Sequence, residues 1–212
     1  MRLKQYIAMR MSFALAVLIM IWPCPASADQ WPAPAPQHGI SENGQYLVRV
    51  VPGESLGDTL GFSGSKKGAY ARGEFYERQP DRSYQLIADV ALLNPVAPAN
   101  ILISNLGYMV TFDNWQNAGY GKVVAIYKSN GQLVRAYELE GLYSSEQIES
   151  IPRSLSSRGW LSPNYGFLKS GNQEEVYAYD FSGGLWLIEL TTGSREYCER
   201  SKVMSCLRQH TK

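Results

Sequence analysis

Apolar and polar positions alternate in short runs along most of the chain, and the runs are rich in β-branched and aromatic residues. Tyr84, Leu86, Ala88, Val90 and Leu92 share one parity while Gln85 and Asp89 share the other, the period of two of a strand with one buried face. The same pattern predicts strands over Tyr46 to Val51, Ala69 to Tyr76, Glu175 to Asp180, Leu185 to Leu190 and Arg195 to Cys198. The densest succession lies between Ala99 and Leu139. There Ile101-Leu102-Ile103, Tyr108 to Phe112, Val123 to Tyr127 and Leu133 to Tyr137 follow one another, the last two joined by the hairpin signal Asn130-Gly131. This stretch is expected to be the piece around which the rest is arranged. One helical signal stands out, the capping-box spacing of Ser144 and Gln147, with Pro152 limiting the helix to about two turns. Pro52 to Gly68, crowded with Gly and Ser, is expected to be a surface loop, and Arg153 to Gly171 a loop with one weak strand.

The strands recur. Tyr76, Tyr127 and Tyr179 each end a predicted strand and are 51 and 52 residues apart, and Ile40 to Val48 looks like Ile103 to Val110. Spacing of this kind marks repeats whose sheets bury their faces against one another. The run Val124 to Leu139, a strand, a Ser-Asn-Gly turn and a returning strand, resembles an outer hairpin of the blades in extracytoplasmic bacterial propellers of the NHL and YVTN-like type. That resemblance implies binding of a ligand or a protein more than any one reaction. The expected fold is all-β, propeller-like or stacked antiparallel meanders built from about three β units, with a β-sandwich as the alternative. Three units fall short of the usual four blades. Irregular packing, an incomplete fourth blade from residues 40 to 51, or self-association would make up the difference.

The ends of the chain change the picture of location. Arg2, Lys4 and Arg10 precede the apolar run Phe13 to Trp22, and Ala26-Ser27-Ala28 has the form of a signal-peptidase site, so residues 1–28 are expected to be a signal peptide. The apolar run is about half of the roughly 20 residues that span a bilayer, and no later run approaches that length. A periplasmic or secreted protein without a membrane span follows. Residues 29–41, with Pro32, Pro34 and Pro36, read as an extended, unpaired segment, 42–198 as one all-β domain, and 199–212 as a tail. Cys198 and Cys206 are then the remaining cysteines, and in an oxidising compartment they are expected to form a disulfide tying the tail to the last strand. A metal or redox pair is the rival, without the spacing that either requires. Beyond Cys206 the polar tail is expected to fray. Without the leader the chain holds 17 basic and 19 acidic groups, which offers no large basic field and excludes a nucleic-acid partner.

Candidate chemistry is sparse. The two histidines, His38 and His210, lie in the Pro-rich segment and the tail, so a Ser-His-Asp arrangement would draw its base from a terminus. Gly61 to Ser65 fails the nucleophile-elbow pattern, and no phosphate-binding loop occurs. The strongest cluster is Asp113, Asn114, Trp115, Asn117 and Tyr120, which leaves a strand end between glycines. Rings that stack and amides that bond hydroxyls suit a sugar or a peptide. The alternative is structural, with Asp113 and Asn114 bracing the turn and Trp115 plugging a core. Carboxylate catalysis by Asp113 with Glu138 or Glu140 ranks lower, and neither a metal nor a cofactor is expected. The classes that remain are, in order, a binding module for protein or carbohydrate, a carbohydrate- or cell-wall-active enzyme, and a structural envelope protein.

Overall fold

Three antiparallel sheets of four strands follow one another along the sequence, each a meander whose strands lie in chain order. The computed structural model describes residues 32–60, 67–170 and 173–210; the leader and Gly61 to Ser65 lie outside these. The first sheet contains β1 (Gln37–Ile40), β2 (Tyr46–Val51), β3 (Arg72–Arg78) and β4 (Tyr84–Ala91). The second contains β5 (Pro98–Ile103), β6 (Met109–Asn114), β7 (Val124–Tyr127) and β8 (Leu133–Tyr137). The third contains β9 (Leu161–Ser170), β10 (Gln173–Asp180), β11 (Leu185–Glu189) and β12 (Arg195–Cys198). Among the described residues three short α-helices accompany them: α1 (Leu56–Leu60) between β2 and β3, α2 (Ser145–Ser150) between β8 and β9, and α3 (Val203–His210) after β12. The reciprocal Ser144–Gln147 capping box opens α2. No helix among the described residues is long and apolar enough to cross a membrane.

The second sheet is the middle layer, and its two faces serve two cores. Every residue of β6 and β7 is buried. Along β6 the pleat sends Met109 into the cluster with Val48, Val50 and Phe75 of the first sheet. It sends Val110 and Phe112 into the cluster with Val176, Ala178, Trp186 and Ile188 of the third. Each such side chain contributes about 1.5 to 3 kcal/mol of burial. The outward face of the first sheet is polar: Arg49 pairs with Glu74 at 3.0 Å, Tyr76 donates to Glu74 at 2.9 Å, and Arg72 pairs with Asp89. The outward face of the third sheet is apolar, and α3 covers it, with Val203, Cys206 and Leu207 against Leu185 and Leu187. The Cys198–Cys206 disulfide, with Cα atoms 6.4 Å apart, ties the helix there.

Several expectations need correction. Arg153 to Gly171 contains the ten-residue strand β9. Pro163 hides it in the sequence, but this proline sits opposite the register shift between Ala178 and Asp180, where a ladder tolerates a missing N–H. Gly166 is needed because a Cβ there would lie 2.9 Å from the Tyr177 hydroxyl. The tail does not fray after Cys206: α3 runs to His210, whose ring nitrogens meet Glu175 at 2.6 Å and Glu196 at 3.3 Å. The Pro-rich segment is not unpaired throughout, since Gln37 to Ile40 pair with β2 once the prolines end. Nor do residues 40 to 51 start a fourth unit; they belong to the first sheet. In β4, Leu86 is 48% exposed, because a register shift at Phe75 and Tyr76 takes it off the inward face. The tyrosine period is out of phase: Tyr76 and Tyr127 lie on third strands, Tyr179 on a second strand. Equivalent first strands begin at Gln37, Pro98 and Leu161, 61 and 63 residues apart. The similarity of Ile40 to Val48 with Ile103 to Val110 reports the true repeat. In both copies the serine N–H closes the turn, Ser41 onto Tyr46 O at 2.9 Å and Ser104 onto Tyr108 O at 2.8 Å. Gly44 and Gly107 supply the positive φ.

Candidate binding site

In a meander the turns alternate between two ends. The β1–β2 and β5–β6 turns lie at one, with the C-terminal end of β9 and the start of β10, and the longer β2–β3 and β6–β7 connections, with the links between sheets, lie at the other. The cluster from Asp113 to Gly121 belongs to the second end.

Its first two residues brace the loop from behind. Asp113 has φ 55°, a left-handed conformation that Asp tolerates better than most residues. This turns its buried carboxylate inward, where Oδ1 accepts from Gly119 N at 2.8 Å and Trp160 Nε1 at 2.7 Å. Burial pushes the Asp113 carboxyl up to about 6, against the lowering effect of those two donors. Asn114 donates to Tyr120 O at 2.8 Å, and its Oδ1 accepts from Asn94 at 2.8 Å, so its amide holds the loop closed. Trp115 is half-buried and plugs no sheet core; its Nε1 donates to Pro32 O at 2.9 Å and so clamps the N-terminal arm. Asn117 donates to Thr59 O at 2.5 Å and ties the loop to α1. Tyr120 lies under the Arg158 guanidinium, 4.8 Å from its ring centroid.

Three of the five residues, Asn114, Asn117 and Tyr120, line a pocket of about 200 Å³; Asp113 and Trp115 do not. The opposite wall comes from Asp58 and Thr59 of α1 and from Tyr70, and the floor of polar groups is completed by Lys122 and Glu138, paired at 2.6 Å. Asp58 accepts from Ser55 Oγ at 2.7 Å and meets Lys67 at 2.9 Å, and these contacts hold its carboxyl below the usual range. The Tyr70 hydroxyl is pushed up by burial and by the neighbouring Asp58 charge. Thr59 Oγ1 is buried and has no hydrogen-bond partner among the described residues. Asp58 and Tyr70 carried no signal in the sequence, lying in or beside a Gly- and Ser-rich stretch far from the loop they face. Trp160, the partner of Asp113, lay in the segment that read as loop.

Asp113 and Glu138 do not face one another across the pocket, since Asp113 stands behind the loop. A metal-ligand grouping among the described residues is Glu196, Cys198 and Cys206, within 4.8 Å, and both of its sulfurs are spent on the disulfide.

No protein-family model and no curated protein matches the chain. Among solved structures, the periplasmic gluconolactonase PpgL of Pseudomonas aeruginosa superposes with a TM-score of 0.39 at 16% identity, over 78% of this chain and 42% of that one. A HIRA fragment, residues 644–1017, gives 0.39 at 9% identity, over 83% of this chain and 60% of that one. The chain therefore spans less than two thirds of either protein. The likeness is weak, and nothing about activity follows from it.

Proposed function

We propose that the chain is an exported binding module that takes one hydroxyl-rich ring, a carbohydrate unit, in the pocket between α1 and the β6–β7 loop. The observation that carries this is the convergence of Asn117, Tyr120, Tyr70 and the Lys122–Glu138 pair, from separate connections, on one hollow. Phenol rings offer stacking faces, and the amide and the ion pair offer donors and acceptors for hydroxyls. A volume of about 200 Å³ lies below the range of about 300–1,000 Å³ for drug-sized ligands, so it suits one ring rather than a long chain. Export rests on the charged leader, the apolar run and the Ala-Ser-Ala site. Binding is favoured over hydrolysis because Asp58, the carboxylate on the α1 wall, is held ionised and would not serve as a general acid.

The test is calorimetric titration of the mature chain against mono- and disaccharides, with Tyr120→Ala and Asn117→Ala beside the parent. Tyr120→Ala is expected to weaken binding by about 2 kcal/mol while leaving the melting temperature within a few degrees. Equal affinity in both variants removes the site from consideration. Release of new reducing ends during the titration makes the chain a hydrolase and overturns the binding-only assignment.

A further inference from the structure

A larger cavity, about 430 Å³, lies at the opposite end, where the β1–β2 and β5–β6 turns meet the ends of β9 and β10. Glu42, Asn105 and Lys169 stand around it, with Ile103 and Phe167 as its apolar part and Glu174 completing the lining; Leu168 borders it from β9, but its side chain packs on the outer face under α3. Glu174 is 5% exposed, and among the described residues its carboxylate has one donor, Leu106 N at 3.3 Å, while Lys169, its cross-strand neighbour on β9, sends its ammonium to Glu42. A buried carboxylate is costly unless a counter-charge and further hydrogen bonds compensate it. Among the described residues one long hydrogen bond is the direct compensation. The neighbouring Glu42 shows what the cavity accepts: the ammonium of Lys169 reaches it at 3.0 Å, beside the Asn105 amide at 3.3 Å. Lys169 is half exposed, so its head can swing away.

We infer that this cavity binds an organic cation, an ammonium or guanidinium group carried on an aliphatic stem. Glu174 takes the charge, Phe167 offers a ring face to it, and Ile103 covers the methylenes. A calcium ion fits less well, because it needs six to eight oxygens and Ile103 and Phe167 line part of the cavity with hydrocarbon. The cation has two sources, a free amine or a Lys or Arg side chain of another protein, and they share this chemistry. The site is independent of the pocket at the other end.

The experiment is titration of the intact mature chain at low salt with agmatine, with an end-capped Gly-Arg-Gly peptide, with neutral N-butylurea and with calcium chloride. The backbone amide of Leu106 is followed by NMR. Agmatine and the peptide are expected to bind and to shift the Leu106 amide, and butylurea is not. Glu174→Gln keeps an acceptor for Leu106 and is expected to weaken both cations at least about tenfold. Lys169→Ala removes the competing ammonium without touching the cavity floor and is expected to tighten them. A peptide tighter than agmatine places the cation on a protein partner; equal affinities place it on a free amine. The assignment fails if neither cation binds, if Glu174→Gln binds them unchanged while folded, or if calcium displaces agmatine at equal concentration.

Discussion

The two ends of the stacked sheets are built on different principles. At one end the β1–β2 and β5–β6 turns are short, and each is closed by a serine and a left-handed glycine. They are also joined to one another, for Asn43 N donates to Asn105 Oδ1 at 2.8 Å and Asn43 Nδ2 donates to Asn105 O at 3.2 Å. At the other end the connections are long and irregular, and they are held by buried and half-buried side chains reaching across sequence: Asp113 to Trp160, Asn114 to Asn94, Asn117 to Thr59. Local turn chemistry makes the first end and long-range bracing makes the second. The second end therefore builds its pocket from segments far apart in sequence, α1 and the β6–β7 loop, and the shape of that pocket does not depend on any one tight turn.

The same substitution at each end separates the two modes most strongly. Gly119, at φ 75°, would carry a Cβ 2.6 Å from Arg158 Cβ and 2.7 Å from its carbonyl oxygen. Gly119→Ala combines left-handed strain with overpacking, and is expected to cost about 2 to 5 kcal/mol in urea unfolding. Gly44, at φ 66°, has open space, with no atom nearer than Arg78 at 3.9 Å. Gly44→Ala is expected to cost about 1 to 2 kcal/mol, the strain alone. Equal losses at the two glycines would erase the distinction.

Bracing by the buried Asp113 carboxylate also brings a pH dependence. The Asp113 carboxyl is raised from 3.8 to about 6 by burial, so folding favours its protonated form. Its contribution is complete below the unfolded value, near pH 4, and is lost as pH rises through 6. Above that, holding the ion costs up to about 3 kcal/mol. Asp113→Asn keeps an oxygen for Trp160 Nε1 and Gly119 N, and Asn tolerates the φ of 55°. The variant is expected to be more stable than the parent at pH 8 by up to about 3 kcal/mol and to lose that advantage by pH 4. A stability difference that is flat from pH 4 to pH 8 would show that the carboxylate is not the brace.

What the sequence made legible follows the same division. Local signals were readable: alternation in β6, β7 and β11, the Asn130-Gly131 hairpin, the Ser144 capping box and the matching approaches at Ile40 and Ile103 are all short-range patterns. The disulfide was readable because compartment and count left one pairing. β9 was not, since Pro163 and Gly166 read as breakers until the bulge and the Tyr177 ring that admit them are known. The inward turn of Asp113 depends on one backbone angle that residue type does not specify. The α1 side of the pocket was illegible for a related reason: Asp58 and Tyr70 meet Asn117 and Tyr120 only through the packing of one sheet on the next.

The smallest effect belongs to the link between the two tight turns. Asn105 presents its side-chain oxygen to Asn43 N and its amide to Glu42 Oε2 at 3.3 Å, all at exposed positions. The exposed Asn43 N–H can exchange this partner for water, so Asn105→Ala is expected to cost about 0.5 to 1.5 kcal/mol. The turns themselves should survive, because Gly44 N still reaches Ser41 O at 2.8 Å and Gly107 N still reaches Ser104 O at 3.1 Å. Hydrogen exchange distinguishes this from general loosening. The Asn43 amide should lose protection while the Gly44 amide keeps it. Parallel loss at both positions would mean that the first turn depends on the second, and that this end, too, is held from a distance.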